Sequence, residues 1–198
     1  IQQVEGKTTI QTVIVKEEDL VVDAISKNNS SVFSITKDGS DAEFNKAEVS
    51  AGKGFAVTKS GIIVVDASQV PSNATNYYVS NSSGKFKAEF ISTDKAGFSF
   101  LKIGAPVDGA AKLEFSVPSF ADLENMKAGQ KVIFFGNSIS STIYEGNKSL
   151  SMNVSKVSAG GAVLDLDGNV LGIVLFNELT NFAPIKFINE VVATLSVS

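Results

Sequence analysis

Apolar and polar positions alternate with different periods along this chain, and each change of period predicts a different element. Residues 8–15 set Ile10, Val13, Ile14 and Val15 among β-branched and polar neighbours, the pattern of a strand or an extended arm. Next, Glu17, Glu18 and Asp19 precede Leu20, Val21, Ala24 and Ile25, whose spacing gathers the apolar residues on one helical face. The acidic first turn suits the positive end of a helix dipole, so a short helix ending near Asn28 or Asn29 is expected. From Ser31 onward the period shortens to that of strands. Apolar runs at 32–36, 54–58, 62–65, 77–80, 86–91 and 98–103 are separated by the turn signals Asp38-Gly39, Lys59-Ser60-Gly61, Ser82-Ser83-Gly84 and Lys95-Ala96-Gly97. Strands at such spacing predict a small barrel or sandwich.

Pro106 and Pro118, with nearby Gly and Ala, mark residues 105–130 as a connector. A second β set follows at 131–135, 140–144, 150–157, 162–166 and 170–176, with Asp167-Gly168 as a hairpin signal between its last two runs. The chain closes on Ile188, Val191, Val192 and Leu195, the i, i+3, i+4, i+7 stripe of an amphipathic helix. The division expected is therefore an arm and short helix over 1–30, a β-barrel over 31–104, the connector over 105–130, and a second β-barrel with the terminal helix over 131–198.

Length supports this division, because 198 residues is about 1.3 times a typical domain of roughly 150. Composition decides more. The chain has no histidine and no cysteine. That excludes a Ser-His-Asp triad, a Cys-His pair, His-ligated metal, disulfides and structural zinc, and leaves carboxylates, lysines and serines for any catalysis. A net charge of −4 argues against nucleic acid and anionic membrane surfaces as partners. No apolar run is long enough for a spanning helix. The first residue is Ile1, from which a processed product is expected, with any membrane attachment lying in a segment outside this sequence.

Several strings resemble the trypsin-like serine proteases, and more narrowly their high-temperature-requirement (HtrA-type) branch. Gly52-Lys53-Gly54-Phe55-Ala56-Val57, then Gly61-Ile62-Ile63-Val64-Val65-Asp66-Ala67-Ser68-Gln69-Val70, is similar to the family's G-S-G-F strand and T-N-x-H-V-V segment. Gly97-Phe98-Ser99-Phe100-Leu101-Lys102-Ile103 is similar to D-L-A-V-L-K-I. Ala159-Gly160-Gly161-Ala162-Val163-Leu164-Asp165-Leu166-Asp167-Gly168-Asn169-Val170-Leu171-Gly172-Ile173 resembles S-G-G-P-L-x-N-x-D-G-x-V-I-G-I, and Asn181-Phe182-Ala183-Pro184-Ile185 resembles G-F-A-I-P-I. The order and spacing of these strings carry the resemblance from about residue 32 to residue 195.

The resemblance implies an all-β fold of two packed six-stranded antiparallel barrels, with a short N-terminal and a C-terminal helix. It also implies a degenerate site. Ser68 stands where the family has its histidine, Gly97 where it has its aspartate, and Ala159 where it has its nucleophile. A methyl has no oxygen to activate, and loss of a nucleophile or base removes about 10⁶-fold in turnover, on the order of 8 kcal/mol. Val157 replaces the first glycine of the G-N-S turn and Ser158 its asparagine, so a distorted oxyanion turn is expected. The expectation is a non-catalytic homologue of the cell envelope or exterior that works by binding protein or peptide, or by self-assembly as a trimer or larger. No cofactor and no metal is expected.

Other readings were weighed on the residues themselves. A Ser-Lys dyad at Lys102, Lys148 or Lys156 has no spacing that selects a pair. The run from Asp165 to Asn169 has acidic residues for calcium, but Val170 and Phe176 stand where an EF-hand loop needs glycine and glutamate, so a hairpin turn is expected. Val174, Leu175 and Phe176 match the family's peptide-binding edge, and Phe182 its pocket wall. Ile10, Val13, Ile14 and Val15 match an assembly arm, with a tether as the alternative. N-x-S/T triplets begin at Asn28, Asn29, Asn73, Asn81, Asn147 and Asn153, as expected from composition. A structural subunit of a filament or surface layer is the second functional reading.

Overall fold

Alternation of the first β set closes into a barrel. In the computed structural model, which describes residues 6, 12–39, 48–71, 76–176 and 181–195, six antiparallel strands run β1 (Val32–Asp38), β2 (Glu48–Ala56), β3 (Ile62–Asp66), β4 (Tyr77–Asn81), β5 (Gly84–Thr93) and β6 (Phe98–Pro106). Their order around the barrel is β1-β2-β3-β6-β5-β4, and β1 closes the circle by pairing Ile35 with Val79. One parity of side chains fills the interior: Phe33, Ile35, Ile63, Val65, Val79, Phe86 and Leu101 are buried there. The other parity of β2, β3 and β6 points outward yet is also buried, through Phe55, Val64, Phe98 and Phe100. This is why residues 62–66 read as an uninterrupted apolar run: β3 is covered on both faces.

What covers that outer face is the second sheet. Strands β7 (Lys131–Phe135), β8 (Ile139–Ile143), β9 (Ala162–Leu164), β10 (Val170–Val174) and β11 (Phe182–Pro184) form the order β11-β10-β9-β7-β8. Ile133, Leu164, Ile173 and Ala183 meet Phe55, Val64, Phe98 and Phe100 in one shared core. The N-terminal helix α1 (Glu17–Asn28) and the C-terminal helix α2 (Ile185–Thr194) seal it with Ala24, Ile185 and Ile188. Val191, Val192 and Leu195 pack on the same cluster, as the apolar stripe predicts. The buried Asn28 amide fixes α1 by donating to the Ala24 carbonyl at 2.9 Å and the Gly168 carbonyl at 2.8 Å, so the Asp167-Gly168 turn is the seat of that helix.

The fold is thus mostly β with one closed six-stranded barrel and two short helices, and it differs from the expectation in three places. The second sheet has five strands and is open among the described residues. The strand expected over 150–157 is absent: Leu150 and Met152 are buried in a third cluster with Tyr144, Val174 and Phe182. Polar side chains rather than a ladder hold that segment, with Asn181 Nδ2 donating to the Met152 carbonyl at 2.6 Å and Asn137 Nδ2 donating to the Val157 carbonyl. β8 therefore lacks the neighbour that would close a barrel. Of the expected strand at 8–15, residues 7–11, including Ile10, lie outside the described residues, and Thr12–Val15 form no strand.

Candidate functional site

The barrel and the sheet meet at a set of turns, and these carry the three positions that the resemblance aligns with a triad. β3 ends at Asp66 and turns through a 3₁₀ segment, Ala67–Gln69, which carries Ser68. The Ala67 N–H donates to the Gly97 carbonyl at 2.9 Å across to the β5–β6 turn. From the sheet, a 3₁₀ turn at Lys156–Ser158 leads into Ala159. Gln69 Nε2 donates to the Ala159 carbonyl at 3.2 Å and to the Lys156 carbonyl. Ser68, Gly97 and Ala159 thus lie around one hydrogen-bonded neighbourhood.

Their chemistry is spent on structure. Ala159 is fully buried and presents only a methyl. Its N–H donates to the Ser155 carbonyl at 3.1 Å, and the Ser158 N–H donates to the same carbonyl at 3.0 Å. An amide turned inward in this way cannot face a developing oxyanion. Val157 caps the change: a β-branched residue disfavours positive φ, and the turn here is 3₁₀. Gly97 has φ +104°, a conformation in which an aspartate would be strained, so the backbone as well as the side chain differs from what a triad requires. Gly160 shows how closely the two halves approach. At φ +86° its position would place a Cβ 2.0 Å from the Lys53 carbonyl oxygen.

Asp66, which the sequence reading quoted but did not single out, is the polar centre of these turns. It is buried at the end of an apolar strand. One carboxylate oxygen accepts the Ser68 N–H at 2.9 Å and the Ser68 hydroxyl; the other accepts the Phe176 N–H at 2.7 Å. Burial pushes its pKa above the usual aspartate value, and these hydrogen bonds and the charge of Lys156 only partly oppose that. The carboxylate ties barrel to sheet. The chain has no imidazole to join this Ser68–Asp66 pair. The signal that could have found Asp66 is a charge closing a run of four apolar residues in a strand buried on both faces.

At the expected peptide-binding edge the N–H groups have partners within the chain. Val174 ends β10, which lies inside the sheet between β9 and β11. The Val174 N–H donates to the Gly161 carbonyl at 3.1 Å, the Leu175 N–H to the Asn181 carbonyl at 2.8 Å, and the Phe176 N–H to Asp66. All three donors of that segment are used within the chain. Phe182 is buried beside Val174, Leu150 and Met152 in the sheet's own core.

The remaining candidates separate. Lys53, held below the usual lysine pKa by burial, donates to Ser34 Oγ at 2.8 Å, but these are cross-strand neighbours on β1 and β2, away from the lysines considered for a dyad. Asp165 accepts the N–H groups of Asp167 at 3.0 Å and Asn169 at 2.8 Å, the hydrogen bonding of a tight turn. Asn28 is buried and unsuited to glycan attachment, and Asn73 lies outside the described residues. Val13 and Ile14 of the arm are 79% and 85% exposed. A cavity of about 580 Å³ is lined by Leu123, Leu150, Phe182 and Phe187 and does not include Ser68. No family model matches this chain, and no curated protein matches it.

Proposed function

We propose that this chain is a non-catalytic homologue of the trypsin-like serine proteases, of HtrA type, built on the two-barrel scaffold with its second barrel left open. In this reading it acts in the cell envelope or exterior by binding protein or by assembling with itself, and not by cutting. One observation carries the reading: the nucleophile position, Ala159, offers a buried methyl whose N–H is locked inside a 3₁₀ turn. Acyl transfer needs both an attacking oxygen and donors facing the oxyanion. A reactive fluorophosphonate, which labels activated serines, is expected to leave the chain unmodified. Labelling of any serine would overturn the reading.

The exposed arm residues Val13, Ile14 and Val15 favour a second reading, a structural subunit of a filament or surface layer joined through that arm. Removing residues 1–15 and measuring mass by light scattering separates the two. Loss of higher assemblies supports the subunit reading, and an unchanged assembly rules out the arm as connector.

A further inference from the structure

A strand at the rim of a sheet presents main-chain donors and acceptors that nothing satisfies, and stable proteins usually blunt such rims with charge, proline, a bulge or a cover. The two rims of the second sheet differ in this respect. β11 is three residues long, ends in Pro184 and runs straight into α2. Among the described residues β8 has none of these devices. Its sequence, Ile139-Ser140-Ser141-Thr142-Ile143, carries no charge and no proline, pairs in unbroken register with β7, and is exposed at all five positions.

Its backbone direction follows from its end. The Tyr144 N–H donates to the Gln130 carbonyl and the Tyr144 carbonyl accepts from the Gly129 N–H, both toward the β7 side. Alternation then turns the main-chain groups of Ser140 and Thr142 toward β7 and those of Ile139, Ser141 and Ile143 outward. The strand is also a near palindrome. Laid antiparallel against a copy of itself about a two-fold axis at Ser141, it sets Ile139 opposite Ile143, Ser140 opposite Thr142, and Ser141 opposite Ser141. Every pair matches like with like, and the outward groups supply about six main-chain hydrogen bonds. A slip of one residue would set isoleucine against hydroxyl and turn the side chains to the wrong face.

Two further exposed aliphatic residues flank the strand. Val157, 59% exposed, lies beside the β7–β8 turn, where Asn137 Nδ2 holds its carbonyl. Val15 lines the same groove as Ile143 at the other end, where the Lys131–Glu17 ion pair holds the start of α1 against β7. The two-fold brings the Ile139 and Val157 end of one copy onto the Ile143 and Val15 end of the other.

We propose that β8 is a self-pairing edge, through which two copies of this chain join antiparallel into one continuous sheet. The proposal deepens the assembly part of the function given above and rests on it; it names the surface and the partner, a second copy. Isologous pairing of this kind closes on itself and leaves no unpaired rim at β8.

Because the chain has no cysteine, a single Ser141→Cys substitution gives an unambiguous report. Two cysteines facing each other across the axis fall within disulfide reach, whereas cysteines elsewhere on the surface do not. Under mild oxidation S141C is expected to convert largely to a covalent dimer, with Ser149→Cys as the control that does not. Sedimentation of the unaltered chain at up to about 0.1 mM is expected to give twice the 20.8 kDa chain mass. Ser141→Lys sets two ammonium groups across the axis and is expected to weaken dimerisation by at least about 30-fold with the circular dichroism unchanged. If the unaltered chain assembles while S141K assembles equally and S141C does not cross-link, this surface is wrong and assembly proceeds elsewhere. If the unaltered chain is monomeric throughout, the proposal and self-assembly both fall, and binding to another protein is left as the mode of action. Should S141K not fold, the S141C cross-link alone decides.

Discussion

The two halves of this molecule solve the same problem differently. The first closes six strands on themselves, so each strand of its barrel has a neighbour on both sides. The second stops at five, because the segment that could have paired with β8 turns inward on Leu150 and Met152 instead. Closure hides edges; an open sheet displays one. The chemistry-bearing positions lie on the turns where the two meet, and there Gln69 and Asp66 hydrogen-bond across from barrel to sheet.

The sharpest test of that comparison is the shared core. Phe100 is buried between barrel and sheet, whereas Phe33 is buried inside the barrel alone. Truncating either to alanine is expected to cost about 4 kcal/mol. If the halves form one unit, both variants lose stability in a single urea transition; two separated transitions in Phe100→Ala would show the halves to be independent. Gly160→Ala comes next, at about 3 kcal/mol, since it combines a positive φ with a Cβ against the Lys53 carbonyl. A loss below 1 kcal/mol would mean that barrel and sheet are not in close contact there.

Asp66→Ala is expected to cost about 2 kcal/mol at neutral pH, because it leaves the Ser68 and Phe176 N–H groups without their acceptor. Its pH dependence has a definite sign. The carboxyl has a raised pKa in the folded chain relative to the usual 3.8, so the folded state holds the proton more tightly. Asp66 therefore stabilises most below pH 3.8, and that contribution is lost as the pH rises through the raised folded value. Asp66→Asn removes this titration, so its penalty relative to the natural residue should shrink between acid and neutral pH in denaturant titrations; a penalty that grows would reverse the assignment. Smallest of all, Val13→Ser on the exposed arm is expected to shift stability by less than about 0.5 kcal/mol.

Much of this was legible in the order of residues. Helix α1 and its end at Asn28, the six barrel strands, the Asp167-Gly168 turn and the α2 stripe all follow from local period and turn chemistry. β2 is longer than its apolar run because Glu48, Val49 and Ser50 extend it into solvent, where alternation has nothing to mark. The misreading of 150–157 has a physical cause. Its apolar alternation is real, with Leu150 and Met152 buried, but alternation reports which side chains face a core and not which strand pairs with the backbone. The same limit applies to 174–176, whose donors are consumed by Gly161, Asn181 and Asp66, partners distant in sequence or in type. Asp66 itself was visible as an out-of-place charge, but its role depends on the Phe176 N–H, 110 residues away.

The central proposal is that the turns joining barrel to sheet do not cleave an amide. The direct measurement is prolonged incubation of the purified full chain with a mixed peptide library, read by mass spectrometry. Every peptide is expected to return at its starting mass. Cleavage at reproducible positions, abolished by substituting Ser68 or Asp66, would contradict the account.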